Sequence, residues 1–236
     1  MNLGSTEIKN FGIIGLPIVH SFSPRMYMAA FKKAGLDYYS YIPFQVPVGR
    51  LMLAVEGFKG LNFRGFNVTI PHKTEIIPYL DAVDADAMII GAVNTVVNDD
   101  GRLTGYNTDY LGFMGALNSR KIELAGKTAV LLGAGGAARA VIWGLLQAGT
   151  AEVVLAVRNP AKAQPLAEEF SPYGKVAVCH WSEDLCAQQL KKCSLLVNTT
   201  PLGMTPKVED CPPGWQYKST PAKNCSISLF TFQPMK

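Results

Sequence analysis

Short apolar runs alternate with stretches of helical periodicity along this chain, and the rhythm changes once, near Lys127. Before that point the spacing is irregular. Phe11–Gly15 is an apolar run closed by glycine and predicts a first strand. HSFSPRMYMAAFKKAG (20–35) then predicts a helix over 24–34, with Ser23 as N-cap, Pro24 at the first helical position and Gly35 just past the end. Tyr38–Val46 reads as a strand, Val48–Lys59 as a helix and Phe66–Ile70 as a buried strand. Pro71 is expected to open a helix carrying Lys73 in its first turn. Ala92–Val97 and Arg102–Tyr106 flank Asn98-Asp99-Asp100-Gly101, which is hairpin turn chemistry.

After Lys127 the alternation becomes regular. TAVLLG (128–133), EVVLAV (152–157), KVAVCHW (175–181) and SLLVNTT (194–200) are apolar runs separated by helical stretches. Parallel strands covered by helices on both faces have this pattern. The expected fold class is therefore α/β, with an N-terminal α/β domain over residues 1–112 and a doubly wound, Rossmann-type domain over 113–236. A helix from Tyr110 is expected to join them.

Composition narrows the function classes. Of 236 residues, 48% are hydrophobic and 17% charged, which is ordinary globular usage. The net charge of +4 arises from 22 basic and 18 acidic residues scattered along the chain, so nucleic acid is not an expected partner. The most apolar span, 128–149, is broken by Arg139 and glycines and reads as a buried strand-turn-helix, not a membrane span. No signal peptide is visible, and a cytoplasmic location is expected. The five cysteines form no CxxC, so neither a zinc site nor a disulfide framework is expected.

GAGGAAR (133–139) follows an apolar strand and opens a helical pattern, the context a dinucleotide fingerprint requires. Gly133 suits the tight turn, Gly135 the close approach of a pyrophosphate and Ala138 the packing of helix on strand. A plain structural glycine turn is the rival reading. The next strand ends in Arg158 and Asn159, with Lys162 one turn later, where an NAD site would carry an acidic residue. Two cations and an amide suit a 2′-phosphate, hence NADP. Solvated helix-start charges remain the alternative. Asn198-Thr199-Thr200-Pro201-Leu202-Gly203-Met204 closes the fourth strand and is a candidate lining for the nicotinamide, or simply a turn.

In the N-terminal half, polar clusters stand at the ends of apolar runs: FNVTIPHK (66–73), GAVNT (91–95) and GYNTD (105–109). Ser21 and Ser23 precede a helix and suit a carboxylate, although Ser23 serves equally as a cap. Asn67 and Thr69 share strand parity. Lys73 and Asp109, among Asn94 and other neutral hydrogen-bonding groups, are suited to proton transfer on a polyhydroxylated substrate. A surface lysine is the bland reading of Lys73.

These motifs, in this order, resemble the shikimate dehydrogenase family from about Phe11 to Met204. The resemblance implies a substrate domain followed by an NADP-binding domain, and reversible NADP-dependent reduction of 3-dehydroshikimate to shikimate in aromatic amino-acid biosynthesis. By motif match it implies that Ser21 and Ser23 bind the substrate carboxylate and that Asn67, Thr69, Asn94 and Asp109 bind ring hydroxyls. Lys73 becomes the acid–base residue, hydrogen-bonded with Asp109. Gly133, Ala134, Gly135, Gly136 and Ala137 cradle the pyrophosphate. Arg158, Asn159 and Lys162 meet the 2′-phosphate, and Thr199, Pro201, Gly203 and Met204 lie near the nicotinamide. A monomer or homodimer is expected.

The chain departs from the family at two places. Tyr27-Met28 stands where the family commonly has His-Asn. At the end, ISLFTFQPMK (227–236) replaces a V-x-D-x-V-Y-x-P strand, and the later helix with its substrate-binding glutamine is missing. If Phe232-Gln233-Pro234 stands for Y-x-P, a tyrosine hydroxyl is lost. An uncovered sheet edge and a pocket open on one side are then expected. The rival functions are a quinate/shikimate dehydrogenase and an impaired nucleotide-binding remnant; Arg158 speaks against the first.

Overall fold

A computed structural model describes residues 7–182, 192–203 and 210, together with the backbone of 225–228. The chain divides into two compact units, Met1–Thr108 and Asp109–Lys236. The division falls at the first residue of a helix, where the sequence pattern placed it after residue 112.

In the first unit β1 (Lys9–Gly15) pairs in parallel with β2 (Tyr39–Gln45) on one side and β3 (Gly65–Val68) on the other. β3 continues antiparallel to β5 (Thr95–Asp99), and β5 to β6 (Arg102–Tyr106). The short β4 (Ala82–Val83) completes a six-stranded sheet in the order β2-β1-β3-β5-β6-β4. Side chains alternate across a strand, so Ile14 and Ile13 of β1 serve opposite faces. Ile14 joins a core with Val55, Phe58, Phe63 and Phe66. Phe58 stacks on Phe66 with ring centroids 4.5 Å apart and meets Phe63 edge-on at 4.7 Å. Burying each such ring stabilises the fold by ~1.5–3 kcal/mol. Ile13 joins the smaller cluster with Ile18 and Tyr41, against which Tyr27 and Phe31 of α1 (Ser23–Lys33) pack. The other helices are α2 (Leu51–Gly60) and α3 (Ala85–Ile90).

Two local expectations fail here. Ser23 is not the N-cap of α1: Phe22 holds that position, and Ser23 is the first helical residue. The Ser21 side chain explains the shift, because its Oγ accepts the Ser23 N–H at 3.3 Å. Pro71 does not open a helix either. Residues 70–76 form successive turns ahead of a one-turn 3₁₀ segment, Ile77–Tyr79. A helix would need the Lys73 carbonyl for the N–H of residue 77. That carbonyl instead accepts from Val93 N at 2.7 Å.

The second unit has the sheet that the regular alternation predicts. β7 (Thr128–Leu132), β8 (Glu152–Val157), β9 (Val176–His180), β10 (Leu195–Asn198) and β11 (Cys225–Ser228) are all parallel, in the order β11-β10-β7-β8-β9. α4 (Asp109–Ser119) packs on α5 (Gly136–Gln147), and α6 (Pro160–Phe170) on β8 and β9. Strand order reverses between β7 and β10, the crevice where such sheets bind ligands. β11 is the outer strand; Phe232-Gln233-Pro234 lie outside the described residues. Cys179 and Cys193 are not joined in a disulfide, and burial pushes Cys193 up to about 11. No helix among the described residues is long and apolar enough to cross a membrane, and no cluster there could hold a metal.

Candidate active site

In the first unit the polar motifs are joined to one another by side-chain hydrogen bonds. Asn67, half-buried on β3, donates through Nδ2 to the Asn94 carbonyl at 3.2 Å and to Thr95 Oγ1 at 3.0 Å. Its Oδ1 accepts from the Tyr41 hydroxyl at 2.6 Å. Asn94 is buried, and its Oδ1 accepts from the Thr108 backbone N–H at 2.9 Å and from the Thr95 hydroxyl at 3.0 Å. Asn94 Nδ2 donates to Thr108 Oγ1 at 3.0 Å. Asn107 is buried too and donates to the Ala92 carbonyl at 2.9 Å. GAVNT and GYNTD are thus stapled together, and GAVNT is tied to FNVTIPHK through Asn67.

Lys73 is half-buried on the turns after β3. Two bonds fix its backbone: the Lys73 carbonyl to Val93 N, and the ring of its neighbour His72, which is wholly buried. His72 Nε2 lies 2.9 Å from the Val46 carbonyl. A carbonyl only accepts, so Nε2 carries the proton. Thr69 follows β3; its N–H donates to the Ile14 carbonyl and extends the ladder to β1 by one residue. Ser21 and Ser23 are half-buried at the start of α1. Burial pushes the Tyr41 phenol well above its ordinary value, with Tyr27 adding to the shift and Ser23 opposing it. Tyr41 therefore stays protonated at neutral pH.

Asp109 belongs to the second unit, in the first turn of α4. The fingerprint of that unit has the form that a phosphate cradle would need. Gly133 follows β7 with φ +102°, and Gly135 caps α5, whose first turn holds no acidic residue. A Cβ built on Gly135 meets nothing within 4 Å, whereas one on Gly133 meets Thr200 Cγ2 at 2.9 Å. Gly133 is thus dictated by the chain itself, while the space over Gly135 lies at the amino end of a helix, where N–H groups await an anion. Ala138 is fully buried, as helix–strand packing requires.

Arg158 and Asn159 emerge exposed from the end of β8. Asn159 caps α6, its Oδ1 accepting the Lys162 N–H at 3.2 Å. At the end of β10, Thr199 is buried and its Oγ1 donates to the Leu132 carbonyl at 2.7 Å. Asn198 holds the turn beyond it through Nδ2 to the Leu202 carbonyl at 3.0 Å, and Gly203 has φ +85°. Pro201 is exposed in that turn. Met204 lies outside the described residues. The glycine and alanine backbone, the cationic strand end and the turn after β10 suit a dinucleotide with a 2′-phosphate on this unit.

Tyr41, Thr95, Asn107 and Thr108 were not singled out by sequence reasoning. The repeated Asn-Thr pairs, Asn94-Thr95 and Asn107-Thr108, were the available signal for three of them.

Known proteins match over both units. Residues 13–96 fit the shikimate dehydrogenase substrate binding domain, and residues 116–200 fit shikimate / quinate 5-dehydrogenase. The NADP(+) shikimate dehydrogenase of Moorella thermoacetica is 48% identical over 207 residues, covering 86% of this chain and 70% of that protein. A Thermus thermophilus shikimate 5-dehydrogenase, solved in complex with NADP(H) and shikimate, aligns with a TM-score of 0.72 and 39% identity over 83% of this chain and 70% of its own. A second shikimate dehydrogenase, solved with NADP+, gives 0.78 and 40% over 88% and 72%. With such identity sustained through both sheets and the polar motifs in the same order, the chain belongs to the shikimate dehydrogenase family.

Proposed function

We propose that this chain catalyses the reversible NADP-dependent reduction of 3-dehydroshikimate to shikimate, a step of aromatic amino-acid biosynthesis. The observation that carries the reading is the hydrogen-bonded set of Asn67, Thr95, Asn94 and Thr108. It joins three separate motifs around the turns that carry Lys73, in a chain of this family. The first unit is the substrate domain, in which Ser21 and Ser23 take the carboxylate and Asn67, Thr69 and Asn94 take ring hydroxyls. The second unit holds the cofactor through Gly133, Ala134, Gly135, Gly136 and Ala137, with Arg158, Asn159 and Lys162 at the 2′-phosphate and Thr199, Pro201, Gly203 and Met204 at the nicotinamide.

The bound nicotinamide supplies or accepts the hydride. As the substrate carbonyl is reduced, negative charge develops on its oxygen. The Lys73 ammonium stabilises that charge and gives up a proton to it; in the reverse direction the neutral amine takes the proton back. Asp109, in the first turn of α4, supplies the second ionisable group in this reading. The setting is the cytoplasm, with the chain acting as a monomer or homodimer.

Shikimate-dependent NADP+ reduction by the purified protein, followed by NADPH absorbance, tests the function. NADPH binding with no turnover at any shikimate concentration overturns it. Arg158 gives the cofactor choice its own test. Charge-assisted hydrogen bonds are worth ~1.5–3 kcal/mol, so Arg158→Ala should raise KM for NADP+ by about 10–100-fold. KM for NAD+ should stay within about twofold, since NAD+ lacks the 2′-phosphate. Equal effects on both cofactors would remove Arg158 from the site.

A further inference from the structure

Tyr41 and Asn67 meet across a whole strand. In register, Tyr41 of β2 stands beside Phe11 of β1, and Asn67 of β3 beside Ile13. Phe11 and Ile13 point to the same face, so Tyr41 and Asn67 share that face and the phenol reaches over β1. It ends 2.6 Å from Asn67 Oδ1. The sense of that amide follows from its other end. Nδ2 lies 3.2 Å from the Asn94 carbonyl, and a carbonyl only accepts. The second Nδ2 hydrogen goes to Thr95 Oγ1 at 3.0 Å, and the Thr95 proton goes on to Asn94 Oδ1. Both amide hydrogens are thus used, and the phenol donates to the oxygen. An amide oxygen has two lone pairs, and Tyr41 takes one. What Asn67 still offers a ligand is an acceptor and no donor.

We propose that Tyr41 is a positioning residue that holds the Asn67 amide so that it recognises a ligand hydroxyl by its proton and discriminates against a carbonyl at the same place. The proposal rests on the function stated above, in which Asn67 takes a ring hydroxyl. A hydroxyl donates to the remaining lone pair of Oδ1. A carbonyl oxygen there would face another acceptor and leave both without a partner, the costly case for polar groups withdrawn from water. The carbonyl that is reduced is thereby steered away from Asn67 towards a group that can donate, and the ammonium of Lys73, in the same FNVTIPHK motif, is such a group. Tyr41 contributes by holding the end of the amide that Asn94 and Thr95 do not hold. Without its hydroxyl the oxygen is anchored only through Nδ2, and a ligand hydroxyl meets a less well placed acceptor.

Tyr41→Phe is a conservative probe, because the ring keeps its stacking on Tyr27, 4.3 Å between centroids, and only the hydroxyl goes. The ratio kcat/KM for shikimate is measured on the full chain for wild type, Tyr41→Phe, Asn67→Ala and the double variant. Tyr41→Phe should lower it about 3–10-fold in the wild-type background, the net worth of a neutral hydrogen bond, and less than about twofold in the Asn67→Ala background. KM for NADP+ should stay level in all four. An equal loss in both backgrounds, or none in either, overturns the positioning role. A wild type that turns over no shikimate overturns the stated function, and this proposal with it. The polarity has a readout that needs no change at Tyr41. Shikimate analogues with one hydroxyl replaced by fluorine lose the proton at that position. At one ring position the fluoro analogue should bind wild type about tenfold or more weakly than shikimate in titration calorimetry, and bind Asn67→Ala within about threefold of shikimate. Deficits that Asn67→Ala leaves unchanged at every ring position sink the proposal.

Discussion

Lys73→Ala is expected to lower kcat for shikimate oxidation by about 10²–10⁴-fold, the range that general acid–base groups contribute. The same variant should keep its NADP+ affinity and its melting temperature. Both expectations come from where the residue sits. Lys73 belongs to the first unit, and the glycine turn at Gly133 and Gly135 belongs to the second. The anchors of the turn, Lys73 carbonyl to Val93 N and His72 Nε2 to the Val46 carbonyl, involve no atom that the alanine lacks. Steady-state kinetics, cofactor titration and thermal denaturation on one preparation separate the outcomes. Activity within a few-fold of wild type would remove Lys73 from the chemistry. A collapsed melting temperature would mean its side chain serves the fold.

The second large effect is a contrast between two glycines of one motif. Gly133→Ala places a side chain at φ +102°, with its Cβ 2.9 Å from Thr200 Cγ2 and 3.0 Å from Thr199 Oγ1. Left-handed backbone costs an L-residue roughly 1–2 kcal/mol. Displacing Thr199 also breaks its 2.7 Å bond to the Leu132 carbonyl. A total loss of about 2–4 kcal/mol in stability follows, with NADP+ binding lost alongside. Gly135→Ala should do the opposite to the fold. Its φ of −88° suits any residue and its Cβ meets no atom. Denaturant melts should match wild type to about 0.5 kcal/mol, while NADP+ affinity falls tenfold or more because the methyl occupies the pyrophosphate's approach. Unchanged NADP+ binding by Gly135→Ala would show that the space is not a phosphate site.

These glycines also mark how far the sequence could be read. The second unit was legible because its signals are local: buried strands spell themselves as apolar runs, and the fingerprint sits at one strand–helix junction. The first unit was legible in its elements and less so in its details. The start of α1 moved because of Ser21 Oγ, and the expected helix at Pro71 failed because Lys73 bonds to Val93, 20 positions on, and not to its own next turn. Tyr41 was invisible for the same reason. Its partner Asn67 is 26 residues away, and nothing around Tyr41 distinguishes it from Tyr38 or Tyr39. Residues that carry chemistry recur in recognisable words; residues that hold those words together are set by pairing across the sheet.

The 2.7 Å bond from Val93 N to the Lys73 carbonyl has one more consequence. Since the main chain and not the side chain secures that turn, truncation at position 73 leaves a vacant slot of lasting shape beside its neighbours. Small primary amines are the right chemical species to occupy it. Methylamine or ethylamine added to Lys73→Ala should restore part of the lost turnover, rising with amine concentration to a plateau, whereas tetramethylammonium, with charge but no transferable proton, should restore none.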